Sequence, residues 1–327
     1  MNAPEDTPRS RAALRQPGGR LFLADGGIET ELIFRDGVEL PDFASFDLLR
    51  RPGGEELLLR YFCRYTELAR RHGTGLVLES ATWRASADWA ARRGCYVAEL
   101  ARINRRAVEL LVELREEHER ETGLPLVVSG CIGPRGDGYV PDRSLSADEA
   151  EAYHGAQVDA LAEAGPDLLS AITMNAVGEA IGIARAAGTT GLPVVVAFTV
   201  ETDGRLPTGQ PLAEAIAETD ASVPDRPAYY MLNCAHPDHF AEVLAQGGDW
   251  LARLGGLRVN ASRSSHAELN ESPVLDEGDP DELGRLNARL AASLPGLAVL
   301  GGCCGTDARH IERIAVHCAP VFAARGR

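Results

Sequence analysis

Eight short apolar runs, each closed by a turn bearing Gly, Ser, Asp or Asn and followed by a helical pattern, constrain this 327-residue chain more than any other feature. They are LFLA (21–24), LVLE (76–79), LVVS (126–129), DLLSA (167–171), VVVAF (194–198), YYMLN (229–233), LRVN (257–260) and AVLG (298–301). Their apolar character is continuous rather than alternating, which is what strands covered on both faces should show. Helical stretches with charged outer faces lie between them. Residues 96–123 carry a stripe of Val97, Leu100, Ile103, Val108, Leu111 and Leu114 and stop at Gly123. The stretch from Ser146 opens with a Ser-x-x-Glu capping box completed by Glu149 and stops at Gly165. Eight β–α alternations favour a single-domain (β/α)8 barrel of the TIM type over an open doubly wound sheet.

Residues 1–18, rich in Pro, Arg and small polar side chains, read as a flexible N-terminal tail, and 19–327 as the barrel. The tail lacks the apolar core of a secretory signal, and no run approaches the ~18 apolar residues a membrane helix needs, so a cytoplasmic protein is expected. Lys and Arg number 33 against 48 Asp and Glu. The resulting formal charge of −15 disfavours nucleic acid and anionic membrane as partners and points to small molecules. Seven cysteines at irregular spacing suit reduced thiols better than a disulfide framework.

A barrel of this kind carries its functional residues just past the C-terminal ends of its strands. Strand one leads into DGGIETE with Asp25, Gly26 and Gly27, strand two into ESATW, and strand three into GCIGPRGDGY. Strand six leads into NCAHP with Cys234, and strand eight into GGCCGT with Cys303 and Cys304. Strands six and eight are separated by one neighbour, so Cys234 can approach Cys303 although the two are 69 residues apart. Three thiolates around one ion point to Zn²⁺ rather than Mg²⁺ or Ca²⁺, with one tetrahedral position open. Such a centre, formally −1, is a weak Lewis acid for carbonyls. It suits binding of a substrate thiol as a fourth, still nucleophilic thiolate, and hence thiol alkylation. Gly301, Gly302 and Gly305 would let both adjacent thiols face the ion. At this level Cys303–Cys304 also fits a reduced pair in a tight turn or a redox couple. Cys63, Cys95 and Cys318 in helical patterns, and Cys131, read as packing residues. His236 and His239 read as a helix cap or as solvent-facing.

The segments LADGGIETEL, VSGCIGPRGDGY, VAFTVETDGRLPTGQPLAEAI, LNCAHPDHF and VLGGCCGTDARHIERI resemble, in order, the motifs of the homocysteine S-methyltransferase family of zinc-dependent barrels, from about Leu21 to Ile314. The resemblance implies zinc on Cys234, Cys303 and Cys304, with homocysteine supplying the fourth, thiolate ligand. A methyl group would pass to it from a small onium donor of the S-methylmethionine, S-adenosylmethionine or betaine type, giving methionine. It further implies that Asp25, Gly26 and Gly27 help hold the amino-acid end of the substrate. Ser80 and Thr82 would line the same pocket, and Thr199 and Asn233 would stand near the zinc.

One position departs from the family pattern. Where the family has an acidic residue after strand four, this chain has Ile172. Either Glu79 substitutes as the ammonium acceptor, or the acceptor is a different thiol or selenol; a non-catalytic metal- or thiol-binding barrel is the further alternative. The acidic segment after strand seven, 260–283, reads as a solvated loop from which Ser262, Arg263 and His266 are the candidates to face the pocket. DGGIET is not the G-x-G-x-x-G of a nucleotide-cradling turn. Neither a long heptad seam nor an appended cobalamin-binding region is visible, and a homo-oligomer stays open.

Overall fold

A computed structural model describes residues 19–142, 145–271 and 274–325; the expected tail at 1–18 lies outside the described residues. Eight parallel strands close into a barrel in sequence order, with β1 pairing to β8. They are β1 (Phe22–Ala24), β2 (Gly75–Glu79), β3 (Leu126–Ile132), β4 (Leu168–Met174), β5 (Val194–Phe198), β6 (Tyr229–Asn233), β7 (Leu254–Val259) and β8 (Val299–Gly302). The helices among the described residues are α1 (Ile28–Phe34), α2 (Gly54–His72), α3 (Ala87–Arg92), α4 (Val97–Thr122), α5 (Ala147–Glu163), α6 (Val177–Gly188), α7 (Leu212–Ser222), α8 (Pro237–Ala245), α9 (His266–Glu271), α10 (Pro280–Ser293) and α11 (Ala308–Arg325). The expected (β/α)8 architecture is the one observed.

Two cores follow from the two-residue period of the strands. One parity, which includes Leu76, Val128, Val196, Leu232 and Leu300, packs outward against the helices. The other, with Phe22, Val77, Val127, Val195, Met231 and Val299, fills the barrel interior. The same inward parity at the upper ends of β2, β4 and β7 belongs to Glu79, Ile172 and Arg258, so the strand period delivers these side chains to the mouth.

β3 and β4 run three residues further than the apolar runs indicate, and β7 begins three residues earlier, at Leu254. The added positions include Gly130, Gly255 and Gly256, which the barrel accommodates by close packing without apolar bulk, and Thr173, whose N–H bonds the Asn233 side chain at an irregularity in the β4–β5 ladder. The helix over Val97–Thr122 ends, as expected, at Gly123 in the left-handed conformation (φ 66), and Ser146 and Glu149 form a reciprocal capping box. Val97 departs from its stripe: it is 77% exposed at the first turn, ahead of the point where α4 meets the barrel. Cys63 is exposed rather than packed, and Cys95 is buried in the turn between α3 and α4 rather than in a helix.

Closure between β8 and β1 depends on a close backbone approach. A Cβ on Gly301 would stand 2.6 Å from Cβ and 3.0 Å from the carbonyl carbon of Ala24. Gly301→Ala should therefore lower the free energy of unfolding by about 1–3 kcal/mol, read from urea denaturation. Gly136→Ala, where a Cβ meets nothing within 4 Å, should leave it within about 0.5 kcal/mol.

Candidate active site

Two of the four non-glycine residues with positive φ among the described residues lie at the C-terminal mouth. Cys234 follows β6 with φ 57, a left-handed conformation unfavourable for a side chain with a Cβ, and this turn places its thiol at the mouth. Thr173, at the end of β4, also has a positive φ of 65. Asn233 braces it: Asn233 Oδ1 accepts from the Thr173 N–H (3.0 Å), and Asn233 Nδ2 donates to the Thr173 hydroxyl (2.8 Å).

From β8 the chain turns through Cys303 and Cys304, with Gly305 at φ 78. Thr306 ties this turn down. Its hydroxyl donates to the Cys303 carbonyl (2.6 Å) and accepts from the Gly27 N–H (3.2 Å). A Cβ on Gly27 would lie 2.6 Å from the Cys303 carbonyl oxygen, so the first loop and the thiol turn are in contact only because that residue is glycine.

These loops bring the three Sγ atoms within 4.8 Å of one another. Cys234 Sγ lies 3.1 Å from Cys303 Sγ and 3.3 Å from Cys304 Sγ. Three thiolates so close repel one another strongly, so without a cation they share protons. Cys303 falls well below the usual thiol range through the hydrogen bonds of Cys234 and Cys304, and those same contacts together with burial push Cys234 up. A soft divalent ion would remove the conflict, and the donor set, three sulfurs with no carboxylate or imidazole beside them among the described residues, fits zinc.

The Tyr139 hydroxyl stands 3.0 Å from Cys234 Sγ and 3.3 Å from Cys304 Sγ. The Tyr139 ring stacks on His266 with centroids 3.9 Å apart, and His266 Nε2 lies 2.7 Å from the Cys234 carbonyl. His266 is buried, so the segment after β7 is not merely a solvated loop: it supplies one wall of the thiol site. Ser262 is also buried but bonds Asp276, and Arg263 is an exposed partner of Asp238 and Glu282.

Beside the thiols lies a cavity of about 100 Å³. Asp25, Gly26, Gly27, Glu79 and Ser80 line it, as do Cys234, Cys303 and Cys304. The other three expected site residues stand behind its wall. Thr82 bonds to the Ser80 hydroxyl and the Cys131 carbonyl, Thr199 donates to the Cys234 carbonyl (3.4 Å), and Asn233 braces Thr173. Cys131, read as packing, is buried but forms part of the lining, as does Ile172. His236 caps α8 by accepting from the Asp238 N–H, and His239 bonds the Arg263 carbonyl, so neither reaches the thiols.

Arg258 is the central residue that reading by motif passes over. It is 7% exposed on β7 with Nη2 paired to Asp25 and Nη1 3.7 Å from Glu79. A guanidinium in an otherwise apolar strand run was the signal for it. Burial pulls Arg258 down, but Asp25 and Glu79 together hold it charged. Burial pushes Asp25 up to about 6 despite Arg258 and despite the Tyr61 hydroxyl donating to it at 3.0 Å. Glu29 of α1 was also unread, although it lies within the first-loop motif. It lines the cavity, accepts from the Ser45 hydroxyl (2.9 Å), and is pushed up to about 7, chiefly by burial.

The Glu29 shift has a definite sign. A carboxyl with a folded pKa near 7 and an unfolded value near 4.5 carries extra proton in the native state between those values. Stability is then lost as pH rises through that window. Glu29→Gln removes the penalty, so relative to wild type it should gain about 1–2 kcal/mol at pH 8 and little at pH 4.5, measured by urea unfolding at both pH values.

With this geometry in place, comparison with known proteins gives a consistent result. The sequence model of the homocysteine S-methyltransferase family matches residues 22–318. Homocysteine S-methyltransferase 4 of Zea mays is 26% identical over 324 residues, spanning 93% of this chain and 91% of its own. Homocysteine S-methyltransferase YbgG of Bacillus subtilis is 25% identical over 320 residues, spanning 90% and 93%. Among solved structures, the metallated form of the homocysteine methyltransferase MmuM from Escherichia coli superposes with a TM-score of 0.69 at 23% identity, over 94% of this chain and 99% of that one, which is a likeness of fold.

Proposed function

Because this chain belongs to the homocysteine S-methyltransferase family, we propose that it transfers a methyl group from a small onium donor to the thiol of homocysteine, giving methionine, with zinc held by Cys234, Cys303 and Cys304. The observation that carries this reading is the convergence of three buried or half-buried Sγ atoms within 4.8 Å at the C-terminal mouth of the barrel, beside a cavity. Zinc bound there supplies the positive charge that keeps a substrate sulfur deprotonated at neutral pH.

The reaction is an in-line displacement: the acceptor S–CH3 bond forms as the donor onium–CH3 bond breaks, and the donor leaves with the bonding pair. The thiol proton has already gone to solvent. No base is needed at the methyl group, and the lining provides none in that role. Instead the chain dries and shapes the space. Ile172, Trp83, Ala81 and Cys131 give the cavity an apolar wall that strips water from the nucleophile. Trp83 is fixed by an indole N–H donated to the Ile172 carbonyl (3.3 Å). Trp83 and Tyr139 place aromatic rings on the wall, a lining that favours a cationic donor.

Gly26 and Gly27 allow the acceptor's amino-acid end to approach the first loop, with Ser80 on the neighbouring wall. Asp25 and Glu79 act on it through the charge they share with Arg258, since Asp25 already engages Arg258 and Tyr61 and Glu79 already accepts from the Ser170 hydroxyl. That engagement, with Ile172 uncharged beside it, is the observation that favours the second reading, in which the acceptor is a different thiol or selenol.

Incubating the zinc-loaded protein with homocysteine and S-methylmethionine, S-adenosylmethionine, betaine or dimethylsulfoniopropionate tests the assignment. Methionine is expected with at least one donor; none with any donor, at one zinc per chain, overturns it. Cys303→Ser and Cys234→Ser should each weaken zinc retention by more than about a hundredfold, read by competition with a chromogenic chelator, and abolish turnover.

A further inference from the structure

Three carboxylates line the cavity, and they are not equivalent. Asp25 spends one oxygen on Arg258 and the other on the Tyr61 hydroxyl. Glu79 accepts from Ser170 and shares Arg258 across 3.7 Å. Glu29 accepts only the neutral Ser45 hydroxyl among side-chain partners in the described residues, and no cationic side chain there reaches ion-pair distance of it. Arg84 acts on it only from beyond ion-pair distance: its guanidinium lies 3.5 Å from the Trp89 ring centroid and 4.5 Å from that of Trp83, and its Nε and Nη1 make no hydrogen bond among the described residues. The chain contains no lysine, so no lysine ammonium of its own can come to Glu29.

Glu29 is also in the right place. It shares the cavity with all three thiols. It is only partly buried and lines the cavity that an entering molecule would occupy. An amino-acid thiol brings an ammonium that loses its water when the sulfur reaches the thiol cluster, and an unpaired cation there is strongly unfavourable. Ile172 on the wall offers it no charge.

Resting on the methyl-transfer reading above, we infer that Glu29 is the specificity-determining residue for the acceptor: its carboxylate receives the α-ammonium while the thiol lies at the cysteines. Arg258 leaves Glu29 free for this by absorbing the charge of Asp25 and Glu79. The acceptor class that follows is an α-amino thiol, and a thiol of the same length without the amine loses the contact.

The test compares L-homocysteine with 4-mercaptobutanoate, which keeps the thiol and carboxylate but lacks the amine, on zinc-loaded wild type, Glu29→Gln and Glu29→Asp. With saturating donor, Glu29→Gln should raise KM for homocysteine by about 10- to 100-fold with kcat within about threefold. It should also lower the homocysteine-to-mercaptobutanoate ratio of kcat/KM by at least about tenfold, and Glu29→Asp should recover part of the preference. Equal losses for both thiols, or no change for either, overturn the assignment. Calorimetric binding of homocysteine reads the same preference without turnover. Absence of methionine therefore refutes the methyl-transfer reading, whereas a homocysteine Kd that Glu29→Gln leaves unmoved refutes the role of Glu29.

Discussion

Three thiols held with Sγ atoms as little as 3.1 Å apart are the constraint around which the upper half of this barrel is organised. Like charges at that separation cannot all persist unless a cation sits among them. The chain nevertheless works to keep them together. Barrel order sets β6 and β8 one strand apart, Cys234 accepts an unfavourable φ, Thr306 clamps the Cys303 carbonyl, and His266 reaches in from the segment after β7 to hold the Cys234 carbonyl. Each device costs stability or specialises a residue, and together they hold the three thiols in the arrangement that the proposed soft ion and substrate sulfur would complete.

A second group of charges lies just below. Buried ion pairs are seldom more stabilising than apolar residues of the same volume, and the rest of the barrel interior is filled by Phe22, Val127, Val195 and Met231. Arg258, Asp25 and Glu79 are therefore poorly explained as a stability element. Their effect is on potential. The guanidinium satisfies two carboxylates that would otherwise face the cavity, and its charge also helps pull Cys303 down, after the hydrogen bonds from the other two thiols. One buried arginine thus both favours the thiolate and leaves Glu29, of the three lining carboxylates, without a cationic partner among the described residues.

The sequence made the barrel legible because strands covered on both faces must be apolar throughout, and eight such runs alternate with capped helices. Strand ends were less clear where the barrel admits polar or glycine residues, as at Thr173 and Gly256, because a side-chain brace in the one case and close packing in the other, rather than apolar bulk, hold them. The thiol ligands were legible because topology alone brings β6 and β8 together. Arg258, Glu29 and Tyr139 were not, for a different reason: their importance lies in pairing and orientation across distant loops. Thr82, Thr199 and Asn233 illustrate the same limit from the other side, since motif position carries a residue to the site but cannot say whether its side chain faces the cavity or props the wall behind it.

Several departures from ordinary local physics meet at one cavity, although Asp42 and Phe43, also at positive φ, lie outside its lining. Positive φ at Thr173 and Cys234, a charge triad inside an apolar barrel, crowded thiols and an unpaired carboxylate all adjoin the same cavity. Clustering of this kind marks a functional face, because selection tolerates such costs only where chemistry requires them. The sign of the charge is informative as well. Three carboxylates against one guanidinium line the cavity, so it is anionic. In the proposed reaction a sulfonium donor arrives with the positive charge that such a mouth attracts and loses that charge with its methyl group. The potential that favours donor entry therefore ceases to hold the demethylated product, and the same lining that assembles the reactants promotes their release.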